Sequence, residues 1–376
     1  MPLRFIHSSD LHLGRRFANI PEPPDGTTRG RLMEARHACI GKLAQAARDL
    51  GAAHILLAGD SFDTATPSPQ VLRQTLAAMR DHGDVTWWLL PGNHDNLRNG
   101  EPIWDMLRAD APPNLRPLLT PDPVALDPDA MLLPCPVPVR NPGRDLTEPM
   151  TRTPTPEGAL RIGLAHGGIV DFTDDGAQIP PDRDRSAALD YLALGDWHGR
   201  IAVTDRTQYS GSPEQDRFRH DRRGVCLAVS IDGPGASPVV AEVETGTFLW
   251  ASHDLTLQDR QDAAATLDAA LPGGARRDTL LRINALGWTS LAGRAAMERV
   301  AQQHAPEYAF FDLRTDALGT LHAATDLDDI DRAGAMRMAA ETLLAEAEDP
   351  DRSAAERDIA SAALNRLYSY VLEEAP

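Results

Sequence analysis

Cysteine and lysine are scarce in this chain, and long apolar runs are missing; each shortage removes a class of explanation. Three cysteines, Cys39, Cys135 and Cys226, stand far apart and odd in number, so neither a zinc ribbon nor a disulfide framework is suggested and they read as buried, reduced thiols. No apolar stretch approaches the roughly 20 residues that a bilayer span requires. The start, MPLRFIHSSD, enters a strand-like run without signal-like character, so the expectation is a cytoplasmic protein with no membrane association. Lys42 is the sole lysine, and 37 basic residues face 55 acidic ones for a formal net charge of -18. A chain with that balance does not grip a polyanion well unaided. Its 376 residues exceed what one small core fills, so two or three domains are expected.

What the chain does have is an ordered set of polar turns. The runs Leu3 to His7, Ile55 to Ala58, Val85 to Leu90, Leu160 to Ala165 and Leu192 to Leu194 are short, apolar and bounded by Gly, Pro or Asp, which marks buried strands. Behind them come DLH (Asp10, His12), GDSFD (Asp60), GNHD (Asn93, His94), AHGG (His166) and GDWHG (Asp196, His198). Strands buried on both faces belong to sheets covered by helices, where ligands gather outside the carboxyl ends. All five turns are therefore expected on one edge, offering ligands for two metals. Such a pair needs one carboxylate able to bridge two cations, and Asp60 is the candidate. Asp10 and His12 share a side of an extended segment because side chains there repeat with period two; Asp196 and His198 have the same spacing.

This series resembles the calcineurin-like metallophosphoesterases, and within them the SbcD-type DNA repair nucleases. The resemblance runs over about residues 1 to 245; GDSFD and the stretch YSGSPEQDRF (Tyr209 to Phe218) are similar to the nuclease branch rather than to generic phosphatases. It implies an α/β fold, a four-layer α/β/β/α sandwich, with a small α/β capping domain and C-terminal helices. Also implied are two divalent ions, manganese first with iron, magnesium or zinc as alternatives. One would be held by Asp10, His12, Asp60 and His198, the other by Asp60, Asn93, His166 and Asp196. His94 would face the scissile phosphate and Asp95 would orient it, as carboxylates beside catalytic imidazoles do. The expected activity is metal-assisted hydrolysis of DNA as exonuclease and endonuclease, with an SbcC-like coiled-coil ATPase as partner and a homodimer formed through Ile103 to Ala109. The family's GHxH is GDWH here, so Asp196 replaces a histidine. A carboxylate shifts such a site toward harder ions such as manganese, unless the second ion binds weakly and arrives with substrate.

Two other readings remain open at this level: a small-molecule phosphomonoesterase or cyclic-nucleotide diesterase, and a non-catalytic DNA-end-binding scaffold for the ATPase. The net charge complicates DNA binding, but bound metals offset carboxylates and local basic clusters can track a backbone. Arg15 and Arg16 follow the first turn and are candidates to reach substrate. The cluster Arg217, Arg219, His220, Arg222 and Arg223 is either a phosphate track or a solvated hairpin paired with acids such as Asp216 and Asp221. Asp63 either orients a ligand or caps a turn. His7, His37, His54, His82 and His304 read as structural histidines.

Three domains are expected: 1–245 carrying the metal turns, 246–325 as the cap and 326–376 as a helical segment. Helical patterning covers Leu32 to Leu50 and Pro69 to Asp81, the crossovers between parallel strands. Residues 111 to 158 are proline-rich and read as irregular surface around one short strand, Met131 to Leu133. An αβαβ unit follows Glu244: Gln258 to Ala270, Thr279 to Ala285, Leu291 to Gln303 and Tyr308 to Leu313. The last helices span Met336 to Ala347 and Ala354 to Leu372. Their apolar residues Leu364, Leu367, Tyr368, Tyr370, Val371 and Leu372 either dock a partner or fold back on the chain's own core.

Overall fold

The computed structural model describes residues 2–22, 26–169, 178–258, 261–321, 330 and 334–374; of Ser369, Leu372, Glu373 and Glu374 it describes the backbone alone. The chain divides into two compact units, Met1–Leu249 and Trp250–Pro376.

Two six-stranded sheets form the first unit. One takes β1 (Leu3–Ser8), β2 (His54–Leu57), β3 (Thr86–Leu89) and β4 (Leu115–Pro117) as parallel neighbours. The other is built on β5 (Val124–Asp127), β6 (Ala130–Cys135), β7 (Leu160–His166), β8 (Tyr191–Gly195), β9 (Ile201–Ala202) and β10 (Thr207–Tyr209), in the order β5-β6-β7-β8-β10-β9. Strand β11 (Val225–Ile231) returns antiparallel beside β1, and β12 (Val239–Glu244) pairs antiparallel with β11 at the sheet's edge. The sheets pack face to face: Phe5, Leu56, Ala58 and Trp88 from the first meet Leu132, Ile162, Leu164, Tyr191 and Ala193 from the second.

Helices α1 (Thr28–Leu50), α2 (Pro69–Arg80) and α3 (Glu101–Asp110) cover the outer face of the first sheet. Helix α1 buries Leu32, Ala35, Cys39, Ile40, Leu43 and Ala47 along one stripe and stops at Gly51, whose φ of 68° suits glycine. Ser68 caps α2 by accepting from the Val71 amide, with Pro69 in the first turn. Among the described residues the second sheet's outer face is covered more thinly, by the short α4 (Arg183–Ser186), the 3-10 turn Glu148–Thr151 and loops, which bury Met150, Ile179, Ala187 and Leu189.

The expected strand Met131 to Leu133 lies within β6, and residues 136–147 and 152–158 are irregular as expected; what is corrected in the stretch 111 to 158 is its first part. Strands β4 and β5 lie there, and β6 is an interior strand between β5 and β7. Pro134 belongs to β6; the prolines misled because they punctuate edges and turns around a real strand.

The second unit has its own sheet: β13 (Leu249–Leu257), β14 (Thr279–Ser290), β15 (Phe310–Arg314) and β16 (Leu318–Leu321), beside α5 (Ala263–Ala270) and α6 (Leu291–His304). The long β14 pairs in parallel with β15 along its first half and with β16 along its second. Helix α5 begins at Ala263, behind an Asp262 cap, so the expected start at Gln258 is too early; part of that stretch lies outside the described residues. The C-terminal helices α7 (Ala335–Glu348) and α8 (Ala354–Glu374) pack on α6. Leu364 and Tyr368 are buried there with Leu291, Ala295, Ile330 and Ala340, and Leu367 and Val371 pack alongside. That apolar face is used inside the unit; Tyr370 stays exposed, and the side chain of Leu372 lies outside the described residues.

Candidate metal centre

The polar turns meet where the carboxyl ends of both sheets come together, not on the edge of one: β1, β2 and β3 deliver three of them, β7 and β8 two. The first two turns are laced by backbone bonds, Asp10 N to Gly59 O (3.1 Å), His12 N to Asp60 O (3.0 Å) and Leu13 N to Ser61 O (2.9 Å). Four of the turn residues, Asp10, His12, Asp60 and Asp196, have positive φ (54°, 44°, 53° and 100°). Non-glycine residues hold that conformation only where the surroundings dictate it, and such strain gathers at functional sites. Glycine is required where the turns touch: a Cβ on Gly92 would collide with Asp60, and one on Gly59, at φ +90°, with the His166 ring.

His166 and His198 have Nδ1 hydrogen-bonded and Nε2 turned inward, while His12 Nδ1 only approaches a carboxylate. His166 Nδ1 donates to the Ala58 carbonyl at 2.8 Å, which fixes the tautomer and leaves Nε2 as a bare lone pair. His198 Nδ1 donates to Asp216 at 3.1 Å, and His12 Nδ1 faces Asp63 Oδ1 at 3.3 Å. The Nε2 atoms of His12 and His198 lie 3.2 Å apart, each 3.9 Å from Asp10 Oδ1, that of His198 also 3.3 Å from Arg217 Nη2, and His12 Nε2 is 3.7 Å from Asp60 Oδ2. Beyond Asp60, His166 Nε2 stands 3.5 Å from the same Oδ2 and 3.6 Å from Asp196 Oδ1. Asp60 thus belongs to both groups.

Facing lone pairs beside buried carboxylates repel one another unless a cation lies between them. Buried His166 Nε2 and Asn93 Oδ1 have no hydrogen-bond partner, although Asn93 Nδ2 donates to Asp196 Oδ1 at 2.8 Å. Donor separations of 3.2 to 3.9 Å are the edges required by an ion about 2.1 Å from each donor. The donors fit two divalent ions sharing Asp60. The electrostatics agree: burial raises the Asp60 carboxyl to about 6, while burial of Asp10 is outweighed by His198, His166 and His12, which hold it below its usual range. Burial disfavours a charged His166, yet Asp60, Asp196 and Asp10 together raise it to about 9. A site that draws a proton onto an imidazole in this way is a site that asks for positive charge.

His94 sits beside this cluster, its ring edge-on to His12 at 4.8 Å. Its amide donates to Asp60 Oδ1 at 2.9 Å and its Nδ1 donates to the Asp63 carbonyl at 2.7 Å. The expectation that Asp95 orients His94 is therefore corrected. Asp95 is buried and accepts from the amides of Gly92 (2.7 Å) and Phe62 (3.1 Å), so it ties the third turn to the second, and both oxygens are occupied away from the ring. Burial, with Asp60 nearby, raises that carboxyl to about 7.

Arg15 is likewise committed: Nη1 lies 3.2 Å from Asp63 and 3.3 Å from Asp216, a strut between two carboxylates that anchor histidines. Arg16 is exposed. The basic cluster divides. Arg217 bonds Asp216 through Nε at 2.9 Å and rests Nη2 against the His198 ring at 3.1 Å. Arg219 lies 4.4 Å over Trp197, and Arg222 and Arg223 pair with Glu242 and Glu244 on β12.

Sequence reasoning missed the buttress behind the centre. The segment Tyr209 to Phe218 reaches under it: Ser212 Oγ donates to Asp10 O at 2.7 Å, Ser210 Oγ meets Ser9 Oγ at 3.1 Å, and Asp216 anchors His198. Buried Arg36, on α1, donates to Leu11 O and to Glu214 O (3.0 Å) and pairs with Asp216 at 3.4 Å. Within YSGSPEQDRF the signal for Asp216 was present; Arg36 had none, being one arginine in an amphipathic helix.

Residues 3–175 match the family model for calcineurin-like phosphoesterase. This segment belongs to the calcineurin-like phosphoesterases. Members of the family use divalent metals, which agrees with the donor set of this phosphoesterase unit. Asp196 and His198 lie beyond the matched residues, and geometry alone attaches them to the centre. Two solved structures are similar at low identity. One, a crystal structure of TT1561 of Thermus thermophilus, is 9% identical with a TM-score of 0.40, over 64% of this chain and 99% of that one. Another crystal structure is 12% identical with a TM-score of 0.38 over the same shares. No curated protein matches the chain. Among the described residues no helix is long and apolar enough to cross a membrane.

Proposed function

We propose that this chain is a metal-dependent DNA phosphodiesterase, acting as exonuclease and endonuclease in DNA repair. The observation that carries the reading is the pair of donor groups sharing Asp60, with His94 held beside them. Divalent ions bound there would polarise a phosphoryl oxygen and activate water for in-line attack. The chain's own residues do the rest. His94 donates Nδ1–H to the Asp63 carbonyl, so it is the Nε2–H of its doubly protonated ring that would pass a proton to the departing oxygen, leaving a lone pair on Nε2. Arg217, against His198 and 42% exposed, adds positive charge where a phosphate would sit.

A nucleic-acid substrate is supported by the positive rim of Arg16, Arg217 and Arg219 on a chain of net charge -18, and by the nuclease-like YSGSPEQDRF segment buttressing His198. A coiled-coil ATPase partner would supply the remaining grip on DNA.

The test is manganese-dependent degradation of end-labelled linear duplex and single-stranded DNA, with His94→Ala and Asp60→Ala beside the wild type. Cleavage that both substitutions abolish supports the reading. Intact DNA, with bis-p-nitrophenyl phosphate still hydrolysed, overturns the nuclease assignment and leaves a small-molecule phosphoesterase.

A further inference from the structure

A cavity of about 810 Å³ adjoins the metal centre between the loop after β1 and the start of α2, with Arg15, Arg16, Asp63, Thr66, Gln70 and Gln74 in its wall. The volume lies within the roughly 300–1,000 Å³ of ordinary ligand sites. We propose that this groove is a subsite for single-stranded polynucleotide, taking the strand on the leaving-group side of the scissile bond; the inference rests on the nuclease reading above.

Asp63 connects the two places. Its carbonyl holds His94, its carboxylate faces His12 at 3.3 Å and Arg15 at 3.2 Å, and it also lines the groove. The departing oxygen is the one that His94 protonates, so the nucleotides attached to it leave past the anchor of His94, which is where the groove begins. The charge suits that occupant. Asp63 is already engaged by His12 and Arg15, while Arg16 is exposed and no ion pair engages it among the described residues. Farther along, Thr66, Gln70 and Gln74 are exposed and present neutral donors and acceptors. A lining of that kind holds a sugar-phosphate chain without reading its sequence.

The experiment measures kcat/KM of the full-length protein in manganese on single-stranded oligonucleotides extended stepwise on the leaving-group side, with bis-p-nitrophenyl phosphate in parallel. Wild-type kcat/KM rises with length and then levels. Gln74→Trp, which fills the groove from an exposed helical position, and Arg16→Glu, which reverses its charge, each lower the ratio of long-oligonucleotide to small-diester efficiency by about tenfold, or 1.4 kcal/mol. Fluorescence anisotropy of labelled oligo(dT) on the metal-free protein shows a matching loss of affinity. If wild-type cleavage ignores length, or both variants keep the wild-type ratio and affinity, the groove is not a subsite. Were wild type to hydrolyse the small diester and no oligonucleotide, the nuclease reading and the subsite would fall together.

Discussion

The histidines of this centre are set as candidate donors by what surrounds their far nitrogens, and Asp216 is the anchor that carries most. It accepts from His198 Nδ1 and pairs with Arg15, Arg36 and Arg217, and although burial works against its charge, His198 and the arginines hold its carboxyl well below the usual range. Asp216→Asn keeps the shape but weakens the anchor, so it should lower manganese affinity by about 10- to 100-fold, measured by isothermal titration of the metal-free protein, while far-UV circular dichroism stays native. Unchanged affinity would show that His198 does not depend on this carboxylate. The donor residues themselves were legible because each follows an apolar strand in a turn of unusual polarity. Their anchors were not, since a backbone carbonyl such as Ala58 O or Asp63 O leaves no trace in residue type, and Asp95 was misjudged because adjacency in sequence says nothing about where a buried carboxylate points.

Elements with strong periodicity were read to within a few residues: α1, α2 and all five strands preceding the metal turns lie where alternation and punctuation placed them. The short pieces β4, β5, β9 and β10 escaped because two to four residues carry too little pattern to separate strand from loop. For α8 the sequence left two fates open, and the packing of Leu364 and Tyr368 on α6 and α7 selects the internal one for those residues. Leu364 is fully buried, so Leu364→Ala should destabilise the C-terminal unit by about 2–5 kcal/mol. In urea this would move the transition reported by the C-terminal unit to lower denaturant and leave that of the phosphoesterase unit in place. An unmoved transition would mean that α8 contributes little to its own unit and frees its apolar face for a partner.

At the scale of the molecule, the site exists because two sheets from distant parts of the chain bring their carboxyl ends together, and a buried histidine is part of the joint. His7 on β1 meets the Tyr191 hydroxyl at 3.0 Å and the Leu194 carbonyl at 3.2 Å, both on β8 of the opposite sheet. Burial lowers its pKa from 6.5 to about 3, against the hydrogen bond to Leu194 that favours charge. The unfolded chain therefore binds a proton at this residue below pH 6.5 that the folded sandwich refuses. Stability contributed by neutral His7 is complete above that pH and drains away as pH falls toward the folded value, at up to about 1.4 kcal/mol per pH unit. His7→Gln keeps polar atoms at the joint and cannot titrate. Between pH 6 and pH 4 the wild type should lose stability to denaturant more steeply than His7→Gln, with the curves converging above pH 7. Parallel curves through that interval would show that the acid sensitivity of the sandwich arises from other groups, with the carboxylates around the metal centre first among them.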